Sequence, residues 1–199
     1  MNKFLRLAVA AGLLAGLVFQ PPGFAHSLRE GGEAVSVADS RMSITPPRSW
    51  NRLSGNLGKN TESWSLDGAQ LNAVVFYGGI PAGKPLVRER DRKDNPLPKV
   101  GNNMLLIEVP ELLEGTYRTE RQIGDFEVTA SAPGMFLGHD GIIFSYRYVD
   151  ADQLTRMGEA RAALIDGKLY MITFDAPRLH YFEETADDFR ALADTARLS

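Results

Sequence analysis

A chain of 199 residues, 44% hydrophobic and 24% charged, has the make-up of one ordinary globular domain plus a short accessory segment. It has no cysteine, which excludes disulfides, thiolate metal sites and a cysteine nucleophile. A formal charge of −3 supplies neither a basic footprint for nucleic acid nor a polybasic anchor for a membrane surface.

The chain opens with Lys3 and Arg6, followed by an uncharged apolar run from Leu7 to Phe19. Pro21 and Pro22 break any helix there, and Gly23 and Ala25 provide small residues at −3 and −1 of a cut before His26. This is the pattern of a secretory signal peptide over residues 1–25. The run is shorter than the ~20 apolar residues that span a bilayer, which argues for removal over retention as an anchor. Cleavage near Ala25-His26 takes Lys3 and Arg6 and no acid, moving the formal charge from −3 to −5. The expected destination is the periplasm or the outside, with no transmembrane span in the mature chain. Residues 26–40 are small, polar and Gly-containing and are expected to be a flexible lead-in to a single domain over 41–199.

Arg41 to Thr45 reads as a short extended segment stopped by Pro46-Pro47, with Trp50 close behind. Thr61 to Leu66 and Gln70 to Tyr77 flank Asp67-Gly68, a hairpin signal because a type I′ turn needs positive φ at both central residues. The second of these strands is apolar on both faces, Val75 and Tyr77 on one and Val74 and Phe76 on the other, so it is expected to be central. Gly78 to Gly101 is a long irregular connection with four prolines and the charged run Arg88 to Asp94. Asn103 to Thr119 is expected to be helical, with Met104, Ile107, Leu112 and Leu113 on a buried stripe, and Pro110 marking a kink or the helix start.

The pattern then switches to period two. Asp125 to Ser131 alternates, Pro133-Gly134 is expected to turn the chain, and Gly141 to Val149 alternates again. Glu159 to Ile165 and Lys168 to Phe174 flank a second Asp-Gly pair at 166–167. Pro177 ends the last strand. Phe182, Ala186, Phe189, Ala193 and Ala196 then recur at spacings of four and three, the apolar face of a closing helix over Glu183 to Arg197.

This order of elements resembles the Mog1/PsbP-like group, which includes small bacterial envelope proteins. Gly167-Lys168-Leu169-Tyr170-Met171-Ile172-Thr173-Phe174-Asp175-Ala176-Pro177, followed by Phe189, carries the resemblance. It implies an α+β fold, a largely antiparallel sheet with helices packed on its faces as an α/β/α sandwich. It also implies a non-catalytic binding or assembly role, chaperone-like in some members, and no universal active site. Fold likeness is associational with respect to function.

Motifs that force a chemistry are absent from the sequence. There is no Gly-x-Ser-x-Gly nucleophile elbow and no phosphate-binding glycine loop. His139-Asp140 is expected in a Gly-flanked turn, but two adjacent ligands do not make a tetrahedral metal set. No metal site and no cofactor are therefore expected. The expected role is an exported binding or assembly domain, with an envelope protein or a small ligand as its partner and no nucleic acid. Arg88, Arg90, Arg92 and Lys93 of the long loop, with Arg178, His180 and Tyr181 of the last connector, are the candidate binding surface. The alternative is a small secreted hydrolase using His139 or His180 with nearby acids.

Overall fold

Eight antiparallel strands form the main sheet of the computed structural model, which describes residues 27–199. The signal segment read over residues 1–25 lies outside the described residues. In chain order the elements are β1 (Ser27–Arg29), β2 (Val35–Ser36), β3 (Met42–Ile44), β4 (Trp50–Arg52), β5 (Thr61–Ser65) and β6 (Ala73–Pro81). A 3-10 turn at Leu106–Glu108 leads into α1 (Val109–Arg121). Then come β7 (Phe126–Phe136), β8 (His139–Val149), β9 (Thr155–Ile165), β10 (Lys168–Pro177), α2 (Tyr181–Asp194) and β11 (Arg197–Leu198). The main sheet runs β1-β4-β5-β6-β10-β9-β8-β7, and β11-β3-β2 form a small second sheet.

The strand periodicity decides which core each side chain joins. In β6, Val74 and Phe76 enter one apolar cluster with Trp50, Trp64, Phe174 and Phe189, beneath α2 and the small sheet. Val75 and Tyr77 enter a second cluster beneath α1, with Leu113, Tyr117, Phe144 and Tyr146. The sheet is thus covered on both faces, as expected for an α+β sandwich, and β6 lies at its centre between β5 and β10. Asp166 and Gly167, at φ 51° and 70°, close a two-residue turn with Ile165 opposite Lys168. The first Asp-Gly hairpin is looser. Its loop is organised by Asn72, whose amide oxygen accepts from Leu66 N at 2.8 Å and from Ser65 Oγ at 2.9 Å.

Several local expectations give way to tertiary contacts. Of the segment 26–40, read as a flexible lead-in, the described residues 27–40 are fastened to the domain. There β1 pairs with β4, and Val37 and Ala38 are buried. The carboxylate of Glu62 accepts from Arg29 Nη2 at 3.3 Å and from Ala38 N at 3.2 Å, partners that no local pattern reveals. The helix expected from Asn103 begins only at Val109, with Pro110 in its first turn, where a missing N–H leaves nothing unsatisfied. Ile107 is 77% exposed and takes no part in the buried stripe, in which the expected Leu112 and Leu113 are joined by Thr116 and Tyr117.

Pro133-Gly134 does not turn the chain. β7 runs through it, because an edge strand has a row of backbone groups with no ladder to lose. The turn lies at Leu137-Gly138, with φ 54° and 78°, so His139 and Asp140 begin β8 instead of sitting in a turn. The long connection after β6 is pinned by a bridge between Pro85 and Lys99 and buries Leu86, Leu97 and Val100. Among the described residues, no helix is long and apolar enough to cross a membrane.

Candidate functional site

The chemically richest point of the molecule is where the ends of β8, β9 and β10 meet the last turn of α1. Register sets Tyr148 beside Arg156, and Gly158 between Tyr146 and Asp175, all on the α1 face of the sheet. The lack of a side chain at Gly158 is required there: a Cβ would lie 2.2 Å from Cζ of Tyr146. From above, α1 lowers Tyr117 and Arg121 onto these rings. Tyr117 stands edge-on to Phe126, Tyr146 and Tyr148, with centroids 5.4–5.9 Å apart. The Arg121 guanidinium lies 3.7 Å from the centroid of the Tyr117 ring.

Asp175 is the hub of this group. It is 1% exposed, and its carboxylate accepts from Tyr148 Oη at 2.7 Å, Tyr117 Oη at 3.0 Å, Arg156 Nε at 3.1 Å and Arg121 Nη1 at 3.3 Å. Arg121 Nη1 also donates to Tyr148 Oη. Burial acts to raise the Asp175 pKa, but the two guanidiniums, Arg121 foremost, overcome it and hold the carboxyl below its ordinary value. Burial pushes Tyr117, Tyr146 and Tyr148 well above the ordinary phenol value, so they stay protonated donors.

A cavity of about 450 Å³ opens against this group. Leu53, Leu57, Val75, Val87 and Ile123 contribute apolar wall, and Tyr117, Arg121, Tyr148, Arg156 and Asp175 form its polar end. Glu120, Asp150 and Asp152 also line it. The two arginines are held differently. Arg156 uses Nε on Asp175 and Nη1 on the Gln70 carbonyl at 2.9 Å, and Asp150 lies 3.7 Å from Nη1. Arg121 spends only Nη1 on protein acceptors: among the described residues, Nε and Nη2 meet none, and the side chain is 32% exposed.

The residues singled out from the sequence lie elsewhere, in two separate places. Arg88, Arg90, Arg92 and Lys93 are exposed on the loop beside α1, where Arg90 pairs with Glu120 at 3.2 Å and Arg92 with Glu89 at 3.6 Å. Arg178 and His180 lie on the connector into α2, and Tyr181 is the first residue of that helix and packs on the core of the opposite face. His139 and His180 are both exposed and are not brought together. Gly141 pairs with Ala163 at one end of β9 and Pro177 with Arg156 at the other, which puts the two histidines on the order of 25 Å apart. Among the described residues, no three His, Asp or Glu side chains cluster as metal ligands. One signal pointed toward the Asp175 group. A lone acid in a strand that is apolar on both faces needs buried partners.

No protein-family model matches the chain, and no curated protein sequence is similar to it. Solved structures match the chain to differing degrees. The solution structure of cyanobacterial PsbP (CyanoP) from Synechocystis sp. PCC 6803 matches at a TM-score of 0.54 with 15% identity, covering 92% of this chain and 100% of that one. The Ran-binding protein Mog1p of Saccharomyces cerevisiae matches at 0.48 with 8% identity, over 87% of this chain and 96% of that one. LpqN of Mycobacterium tuberculosis, described as involved in cell envelope biogenesis, matches at 0.34 with 8% identity, over 89% and 87%. With CyanoP aligned along its whole length, the chain has a PsbP-like fold, as the resemblance in the sequence implied.

Proposed function

We propose that the protein is an exported, non-catalytic binding or assembly domain of the bacterial cell envelope. The observation that carries this is the state of the groups in the cavity. Asp175 is ionised and accepts from four side chains, the arginines are permanently charged, and the buried tyrosines hold their protons. General acid-base catalysis needs a group poised near the working pH, and nucleophilic catalysis needs an activated one. This polar end offers fixed charge and hydrogen bonds instead, which suits recognition. The signal-peptide pattern at residues 1–25 supports export. The cations Arg88, Arg90, Arg92 and Lys93 offer a protein partner an exposed electrostatic surface beside the cavity.

Export is tested by the mass of the mature N-terminus. A chain beginning at or near His26 is expected, and one retaining Met1 overturns it. Binding is tested by capture from envelope extract, with and without charge reversal at Arg88, Arg90, Arg92 and Lys93. A saturable partner lost on reversal supports the reading. A hydrolytic activity lost in His139→Ala or His180→Ala, with the fold intact, overturns it.

A further inference from the structure

We propose that the cavity beneath α1 binds a small organic molecule with one carboxylate and an apolar body, its carboxylate seated on the Nε–Nη2 edge of Arg121. This site rests on the binding reading above and gives it a ligand class. A guanidinium carries five N–H donors in a planar fork, and one edge of the fork matches the two oxygens of a carboxylate. Only the Nη1 end of Arg121 is occupied by Tyr148 and Asp175. The remaining edge has no acceptor among the described residues, on a side chain that lines the cavity and is a third exposed.

The local pairing points the same way. Of the four acids on the lining, Asp175 is shared by Arg121 and Arg156, Asp150 stands beside Arg156, and Glu120 pairs with Arg90. Among the described residues, Arg121 therefore has a share in Asp175 and no acid of its own. In a partly enclosed cavity the field of that guanidinium is screened less than on the open surface, so a ligand anion there gains more than it would at the surface.

The rest of the lining limits the ligand to a single negative group. Leu57, Val87 and Ile123 offer apolar wall that a bare inorganic anion leaves uncovered. Asp150 and Asp152 repel a second negative charge, and Arg121 repels a cation. The volume of about 450 Å³ falls in the range of small-molecule pockets.

Isothermal titration of the purified protein with decanoate, decanamide and decylamine, each below its micellar concentration, tests the site. Decanoate is expected to saturate one site and to bind roughly tenfold or more tighter than the uncharged amide, with no binding of the amine. Arg121→Gln is expected to bring acid and amide to the same affinity. Ala69→Trp, an exposed position on the lining, is expected to weaken both by obstruction and decides the matter if the arginine variant does not fold. Equal affinity for acid and amide, indifference to both substitutions, or no saturable binding of any probe overturns the site. That last outcome leaves the broader reading standing, because partner capture and the mature N-terminus judge it independently.

Discussion

The two faces of the sheet each bury one carboxylate among arginines, and they differ in how that carboxylate is enclosed. On the α2 face, Glu62 collects Arg52 Nε at 2.9 Å, Arg29 Nη2 at 3.3 Å, Trp64 Nε1 at 2.8 Å and Ala38 N at 3.2 Å. Its arginines reach toward water, 25% and 47% exposed, and its donors come from the N-terminal segment, β4 and its own strand β5. On the α1 face, Asp175 collects donors from α1, β8 and β9 and stands at one end of an open cavity. The same chemistry makes a clasp in one place and a receptive surface in the other. The difference lies in the packing around it: Glu62 closes chain segments onto each other, whereas Asp175 holds an arginine with one edge left open.

If that contrast is right, the largest loss comes from Asp175→Ala, which leaves the Arg156 and Arg121 charges without their buried partner. Removing one side of a buried pair costs about 3–5 kcal/mol, read as a drop in the urea midpoint at unchanged slope. The pH dependence sharpens the point. The folded pKa of Asp175 is depressed by Arg121 and Arg156 against the upward pull of burial. Its contribution is therefore fully present above the unfolded carboxyl value of about 4 and is lost as the pH falls through the lower folded value. Asp175→Asn should lose less stability than the parent over that acid interval, and parallel acid curves for the two would contradict the assignment.

Glu62→Ala comes next, at about 2–3 kcal/mol, because it strands the Trp64 and Ala38 N–H groups while its arginines turn to solvent. Hydrogen exchange should then quicken across residues 27–40 and leave the α1 face protected. Uniform quickening would break the distinction between the faces.

How much of this was legible in the sequence follows from the range of the interactions. Period-two strands, the apolar faces of β6 and β10, and the spacing of Ala186, Phe189 and Ala193 are local, and they located the sheet and the closing helix. Glu62 meets Arg29 and Ala38 across 33 and 24 residues, so composition alone made residues 26–40 look loose. Pro133-Gly134 has the chemistry of a turn, and only the edge position of β7 makes it acceptable in a strand. The Asp175 group draws on Tyr117, Arg121, Tyr148 and Arg156, each unremarkable in its own stretch, and register alone assembles them. Charge runs such as Arg88 to Asp94, by contrast, are conspicuous in a sequence whether or not they form a site.

Gly158→Ala tests the α1 face at a smaller scale. The added Cβ meets the Tyr146 ring, against which Phe126 stacks at 5.2 Å and Tyr148 at 6.4 Å while Tyr117 stands edge-on to it, so the ring has little room to yield. Overpacking of this kind costs about 1–3 kcal/mol, and the loss should appear together with a changed near-ultraviolet tyrosine signal. A silent substitution would mean that the aromatic floor is softer than its packing implies.

The smallest effect should be Arg52→Ala. Its guanidinium is the more exposed partner of Glu62, and Arg29, Trp64 and Ala38 still hold the carboxylate after it is gone. Solvent-facing ion pairs contribute about 0–1 kcal/mol, so the urea midpoint should scarcely move, and added salt should shrink even that shift. A loss approaching that of Asp175→Ala would make Glu62 a buried pair of the same kind, and the contrast between the two faces would then rest on the cavity alone.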